Sequence, residues 1–208
     1  MPFFNSYAFD LPNRFNRALP VIGGKAGRFL AVGGWDGTGT AAMIEADGAC
    51  AWARRYQDPS LDFDDAVRVG ALDFVDAVQV GTEGFALLSA VAGRGNYGLV
   101  RIDSGGTVLW SRSIPGLGFG PGARILKPLD GADGLLVVAW PAPLALNYHK
   151  VAARLIRLAA DGSVLRAVDI VGAGGRVFDA AATDDGYILV GDEDPRSLAE
   201  FEAGNPGL

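Results

Sequence analysis

The sequence is poor in the residues that most often carry catalysis or bind metals: 208 residues include one cysteine, one histidine and two methionines. A lone cysteine, Cys50, excludes an intramolecular disulfide and any zinc site built from several cysteines. Flanked by Ala49 and Ala51, it is expected to be a small buried hydrophobe. With His149 as the single histidine, a His-bearing triad has one base to choose from, and a zinc site would need carboxylate partners. No serine stands in a Gly-x-Ser-x-Gly elbow. Positive charge is also scarce: 18 Lys and Arg against 24 Asp and Glu leave a net charge of −6, and the basic residues are dispersed. That excludes a general nucleic-acid binder, which needs clustered cations to neutralise phosphate. No apolar run approaches the roughly 18–20 residues of a membrane span. The first ten residues, MPFFNSYAFD, have neither a basic n-region nor a continuous apolar h-region. The expectation is a soluble chain, cytoplasmic by default, with signal-less export left open.

Glycine, by contrast, is abundant at 30 residues, and half of the chain is hydrophobic. The glycines recur in register with apolar runs. One anchor is a glycine followed, directly or after one residue, by a large apolar residue that starts a strand-like run. It occurs at Gly27 (GRFLAV), Gly84 (GFALL), Gly134 (GLLVV) and Gly186 (GYILV), so the anchor steps by 57, 50 and 52 residues (27 to 84, 84 to 134, 134 to 186). The other is an acidic turn closed by glycine and followed by a second apolar run: Asp47-Gly48, then Asp103 to Gly106, then Asp161-Gly162. Its glycines step by 58 and 56 (48 to 106, 106 to 162). Two anchors stepping together indicate an internal repeat of a little over fifty residues.

Asp-Gly and Gly-Gly between apolar runs are tight-hairpin signals, because such turns need positive φ. Runs such as 85–90 and 135–139 are apolar on both faces at strand length, as in a sheet covered on both sides. A radial stack of four-stranded sheets provides that cover. The units are expected at about 16–56, 74–114, 123–170 and 176–194, the last stopping after two strands, with a polar tail over 195–208. All belong to one repeat domain covering residues 1–208. Counting one further aromatic strand from Phe3, Phe4, Tyr7 and Phe9, about fifteen strands are expected. Residues 63–78 are ambiguous, since Phe63, Val67, Ala71, Phe74 and Val78 also fit a helical spacing.

The pattern Gly-aromatic-x-Leu, followed by YGLVRIDSGGTVLW over 97–110, resembles bacterial β-propeller repeats that occur in tandem in large surface and secreted proteins. The resemblance covers about residues 20–191 and is closest in the second unit. Arg166 in the third unit departs from Trp52 and Trp110 in the first two. What it implies is an all-β chain of propeller-like repeats, about three and a half four-stranded blades, used as a binding platform. It carries over no catalytic residue.

Several motifs lose their chemical reading in this context. Gly93-Arg94-Gly95-Asn96-Tyr97-Gly98 has the form of a dinucleotide fingerprint, but the next turn follows within five residues, leaving no room for the helix that would hold the pyrophosphate. Gly37-Thr38-Gly39-Thr40-Ala41-Ala42 fails in the same way. Asp103-x-x-Gly106-x-x-x-Trp110 is similar to the tryptophan-docking motif of quinoprotein propellers, which is structural there. The acidic groups Asp58, Asp62, Asp64, Asp65 and Asp192-Glu193-Asp194 lack the order of a calcium loop and read as solvated charge. No cofactor and no metal are expected.

About fifteen strands in three and a half units leave a ring short of full blades, and uncovered sheet edges invite pairing. The leading expectation is therefore a non-enzymatic interaction or scaffold module, part of a larger assembly, whose partner is another protein or a second copy. The alternatives are a propeller hydrolase or lyase using carboxylates with His149, and a carbohydrate-binding propeller stacking a glycan on exposed aromatics. The candidate binding residues are His149, Tyr148, Trp140 and Trp35, because segments where the repeats disagree form binding faces. Neither nucleic acid nor membrane is expected as a partner.

Overall fold

The acidic hairpins set the local structure. In a computed structural model of the chain, the described residues are 14–22, 26–35, 38–56, 72–82, 84–91, 96–115, 123–126, 134–140, 151–171, 176–183 and 186–192. Gly48, Gly106 and Gly162 all adopt positive φ, at 83°, 82° and 82°. In each turn the aspartate Oδ1 accepts the amide two residues on: Ala49 from Asp47 at 2.9 Å, Gly105 from Asp103 at 2.8 Å, Ser163 from Asp161 at 2.9 Å. Such Asx turns hold the chain reversed while the flanking strands pair.

The strands are β1 (Arg14–Pro20), β2 (Phe29–Trp35), β3 (Thr38–Ile44), β4 (Cys50–Tyr56), β5 (Leu72–Gln79), β6 (Gly84–Val91), β7 (Asn96–Asp103) and β8 (Val108–Pro115), followed by β9 (Ala123–Leu126), β10 (Leu135–Ala139), β11 (Val151–Leu158), β12 (Val164–Val171), β13 (Arg176–Ala182) and β14 (Tyr187–Asp192). They form antiparallel meanders β1-β2-β3-β4, β5-β6-β7-β8 and β9-β10-β11-β12, then a two-stranded sheet β13-β14. The expected aromatic strand at Phe3–Phe9 lies outside the described residues, among which fourteen strands stand.

The sheets stack in sequence, and three apolar layers lie between them. Leu30, Val32 and Met43 of the first sheet meet Phe74, Phe85 and Leu87 of the second. Ala86, Leu88 and Leu99 of the second meet Ile125, Leu135 and Val137 of the third. Leu136 and Val138 of the third meet Ala180, with Tyr187 and Leu189 packed alongside. Successive residues of β6 and β10 thus face opposite layers and both are buried, which explains their unbroken apolarity. The first strands β1, β5, β9 and β13 contact one another in turn. The fourth strands β4 and β12 are mostly exposed. First strands therefore lie toward the axis of the stack and fourth strands at its rim.

Three expectations are corrected here. Cys50 is exposed, because β4 is the rim strand and only part of it is covered. The helical spacing over 63–78 does not give a helix at its described end. A bulge between Phe74 and Asp76 in β5 adds a residue and buries Phe74, Asp76 and Ala77, so a strand imitates the period of a helix. The anchor glycine at Gly134 serves close approach, not a turn: a Cβ there would strike the carbonyl oxygen of Leu158 on the neighbouring strand. The last three residues of the fingerprint at 93–98, Asn96, Tyr97 and Gly98, already belong to strand β7.

Candidate interaction surface

Strand register places one charged residue at the same point of every inner strand. Arg17 pairs opposite Val32, Asp76 opposite Leu88, Arg124 opposite Val138 and Asp179 opposite Val190. Each partner is the fourth residue of its second strand when the strands are counted from Phe29, Phe85, Leu135 and Tyr187. In β1, β5 and β13 a bulge immediately precedes the charged residue, and bulges re-aim side chains. The result is a row of alternating sign along the axis.

The row is linked by ion pairs. Arg17 Nε lies 3.3 Å from Asp76 Oδ1, and Arg124 Nε lies 4.0 Å from Asp76 Oδ2 and 2.6 Å from Asp179 Oδ1. Asp76 Oδ2 also accepts the Ile125 amide at 3.1 Å, tying the second sheet to the third. Asp76 is 2% exposed, and its Oδ1 has no hydrogen-bond partner among the described residues. Burial pushes its carboxyl above the ordinary range, opposed by the Ile125 amide and by Arg17 and Arg124. Burial acts the same way on Asp179, but there the bond from Arg124, the Ala180 amide and the charges of Arg124 and Arg17 prevail and hold it low. Asp179 thus senses Arg17 as well, although the two stand at opposite ends of the row.

Other polar ties stitch the first two sheets. Asn16 Nδ2 donates to Asp73 Oδ1 at 2.6 Å and to the Phe74 carbonyl at 3.0 Å. The Gln79 amide group accepts from Ile22 N at 2.6 Å and donates to Ile22 O at 2.7 Å. At the rim, Trp52 Nε1 donates to the Ser104 carbonyl and Tyr56 Oη to the Gly106 carbonyl, each at 2.8 Å. Trp52 lies over Gly106 and Trp110 over Gly162 of the next sheet, each so close that a Cβ on the glycine would overlap the indole. Trp110 is therefore a packing residue, as its motif implies. Desolvation at these layers pushes the Tyr97 phenol up to about 12.

At the two ends of the stack this packing stops. Ile188 and Val190 of β14 occupy the positions of Leu30, Ala86 and Leu136, and of Val32, Leu88 and Val138, all of which are buried. Ile188 and Val190 are 53% and 54% exposed. At the other end Phe29, equivalent to the buried Phe85 and Leu135, is 45% exposed. The second strands β2, β6 and β10 each pair on both edges, whereas β14 pairs only with β13 among the described residues.

The candidate residues from sequence fare differently. His149 and Tyr148 lie outside the described residues, as do Asp58, Asp62, Asp64 and Asp65. Trp140 is half-buried and packs against the third apolar layer, beside Leu136 and Val138. Trp35 ends β2, its backbone facing Thr38; its side chain lies outside the description. Among the described residues no group of three or more His, Cys, Asp or Glu is placed to hold a metal, and no helix is long and apolar enough to cross a membrane. The charged row was missed in the sequence because its members precede the anchor glycines by unequal spacings (17 to 27, 76 to 84, 124 to 134, 179 to 186). Only strand pairing aligns them.

No family model matches the chain, and no curated protein matches it. Among solved structures it is similar to a sialidase β-propeller, in a structure described as "NanB plus Optactamide". The TM-score is 0.57 at 14% identity over 87% of this chain. The chain spans 28% of that protein's length. At this identity the likeness speaks for fold alone: the chain is all-β and propeller-like, and its ring is not closed among the described residues.

Proposed function

We propose that the chain is an interaction module, a run of propeller blades that completes its packing against another polypeptide in a larger assembly. The observation that carries this reading is the exposure of Ile188 and Val190 at positions that are buried in every preceding blade. Covering a Val or Ile side chain is worth about 1.5–3 kcal/mol, and an unpaired strand edge is a template for pairing. The edge of β14, unpaired among the described residues, and the apolar face beside it favour the same partner surface.

Amide hydrogen exchange tests it. In the isolated chain, amides of β14 are expected to exchange much faster than those of β10, its counterpart in the third sheet, and to slow when the partner is present. Equal protection of β14 and β10 in the isolated monomer would mean that the face is already covered within the chain, and would end the proposal.

A further inference from the structure

We infer that the surface covering β14 is the opposite end of a second copy of this chain, joined head to tail. The inference rests on the interaction-module reading above and names its partner. Two independent features of the ends argue for it.

The first is the packing rule repeated three times within the chain. Counted from Phe29, Phe85, Leu135 and Tyr187, the second and fourth residues of a blade's second strand pack against the first and third residues of the next blade's second strand. Leu30 and Val32 meet Phe85 and Leu87; Ala86 and Leu88 meet Leu135 and Val137; Leu136 and Val138 meet Tyr187 and Leu189. Continued once more, Ile188 and Val190 would meet Phe29 and Ala31 of another copy. Ile188, Val190 and Phe29 are the exposed members of the series. The join would therefore reproduce an interface the sequence already builds.

The second is charge. The inner row runs Arg17, Asp76, Arg124, Asp179, with the cation on the first sheet and the anion on the last, and the charge of Arg17 reaches Asp179 within one chain as well. Arg17 and Asp179 are the most exposed members of the row, at 41% and 48%, while Asp76 and Arg124 between them are at 2% and 20%. Head to tail, Asp179 of one copy comes next to Arg17 of the other and the alternation continues across the join. A face-to-face join would oppose Arg17 to Arg17 or Asp179 to Asp179, which disfavours it through like-charge contact. Heterologous contacts of this kind close into a ring or extend, according to the rotation each join imposes.

The experiment is sedimentation equilibrium on the 208-residue chain, with Phe29→Glu and Ile188→Glu variants. Both positions are exposed, so each variant should keep the wild-type circular dichroism and melting curve as a monomer. The wild type should associate as concentration rises to about 100 μM, well above a micromolar dissociation constant. Each variant alone should be monomeric, because each damages one side of every join. An equimolar mixture should recover a 1:1 complex, since the intact Ile188 end of Phe29→Glu fits the intact Phe29 end of Ile188→Glu. Association of either variant alone, or failure of the mixture to associate, would overturn the head-to-tail join. A wild type that stays monomeric would overturn the second copy as partner. If β14 then still exchanges fast, the interaction-module reading stands with a different polypeptide; if β14 is protected, both fall.

Discussion

Val138 and Val190 occupy the same position of the repeat, each opposite the charged residue of an inner strand. Val138 is sealed between the third and fourth sheets, whereas Val190 is half exposed at the end of the stack. The residue type is the same, the strand type is the same, and the difference is whether a further sheet follows among the described residues. In a stack whose layers touch only their neighbours, a residue's burial is a property of the next layer as much as of its own. The same contrast separates Phe85 from Phe29 at the other end.

Core truncation should show this contrast most strongly. Leu88→Ala, in the layer between the second and third sheets, should cost about 2–5 kcal/mol in urea or thermal unfolding. Val190→Ala should cost no more than about 0.5 kcal/mol in dilute chain. A cost for Val190→Ala that grows with protein concentration would show the face being covered in solution; a large cost independent of concentration would break the comparison.

A smaller effect compares two glycines of positive φ. Gly162, at φ 82°, lies under Trp110, whereas Gly81, at φ 65°, has nothing within 4 Å of a built Cβ. Gly81→Ala should cost only the backbone strain, about 1 kcal/mol. Gly162→Ala should add displacement of the Trp110 indole and reach about 2–3 kcal/mol by the same measure. Equal costs would mean that the tryptophan dock contributes nothing to the seam.

The smallest effect distinguishes the middle of the charged row from its end by pH. Asp76 has a raised folded pKa, so the folded chain holds its proton more tightly than the unfolded chain does. Its stabilising contribution is fully present below the unperturbed value of 3.8 and is lost as pH rises through the folded value. Asp179 has a lowered folded pKa, so its contribution is present above 3.8 and lost as pH falls through the folded value. Relative to wild type, Asp76→Asn should therefore gain stability as pH rises from the acid side, and Asp179→Asn should lose it. Parallel melting-temperature profiles of the two variants would refute the assignment of burial to one and of partner charge to the other.

Strand length, hairpin position and the repeat itself were legible in the sequence because they rest on local chemistry. Asp47, Asp103 and Asp161 bond amides two residues away, and Gly48, Gly106 and Gly162 supply the φ those turns require; neither depends on distant contacts. Two-sided apolar runs at 85–90 and 135–139 announced sheets covered on both faces for the same reason. The bulge in β5 and the exposure of Cys50 were not legible, since one depends on pairing with β6 and the other on lying at the rim. Nor was the row Arg17, Asp76, Arg124, Asp179, which unequal loops scatter along the chain and only cross-strand register brings into line. Ile188 and Val190 read in sequence as core residues, and by type they are. Tertiary structure alone decided that they are exposed where the equivalent Leu136 and Val138 are buried, because burial belongs to the pair of surfaces that meet.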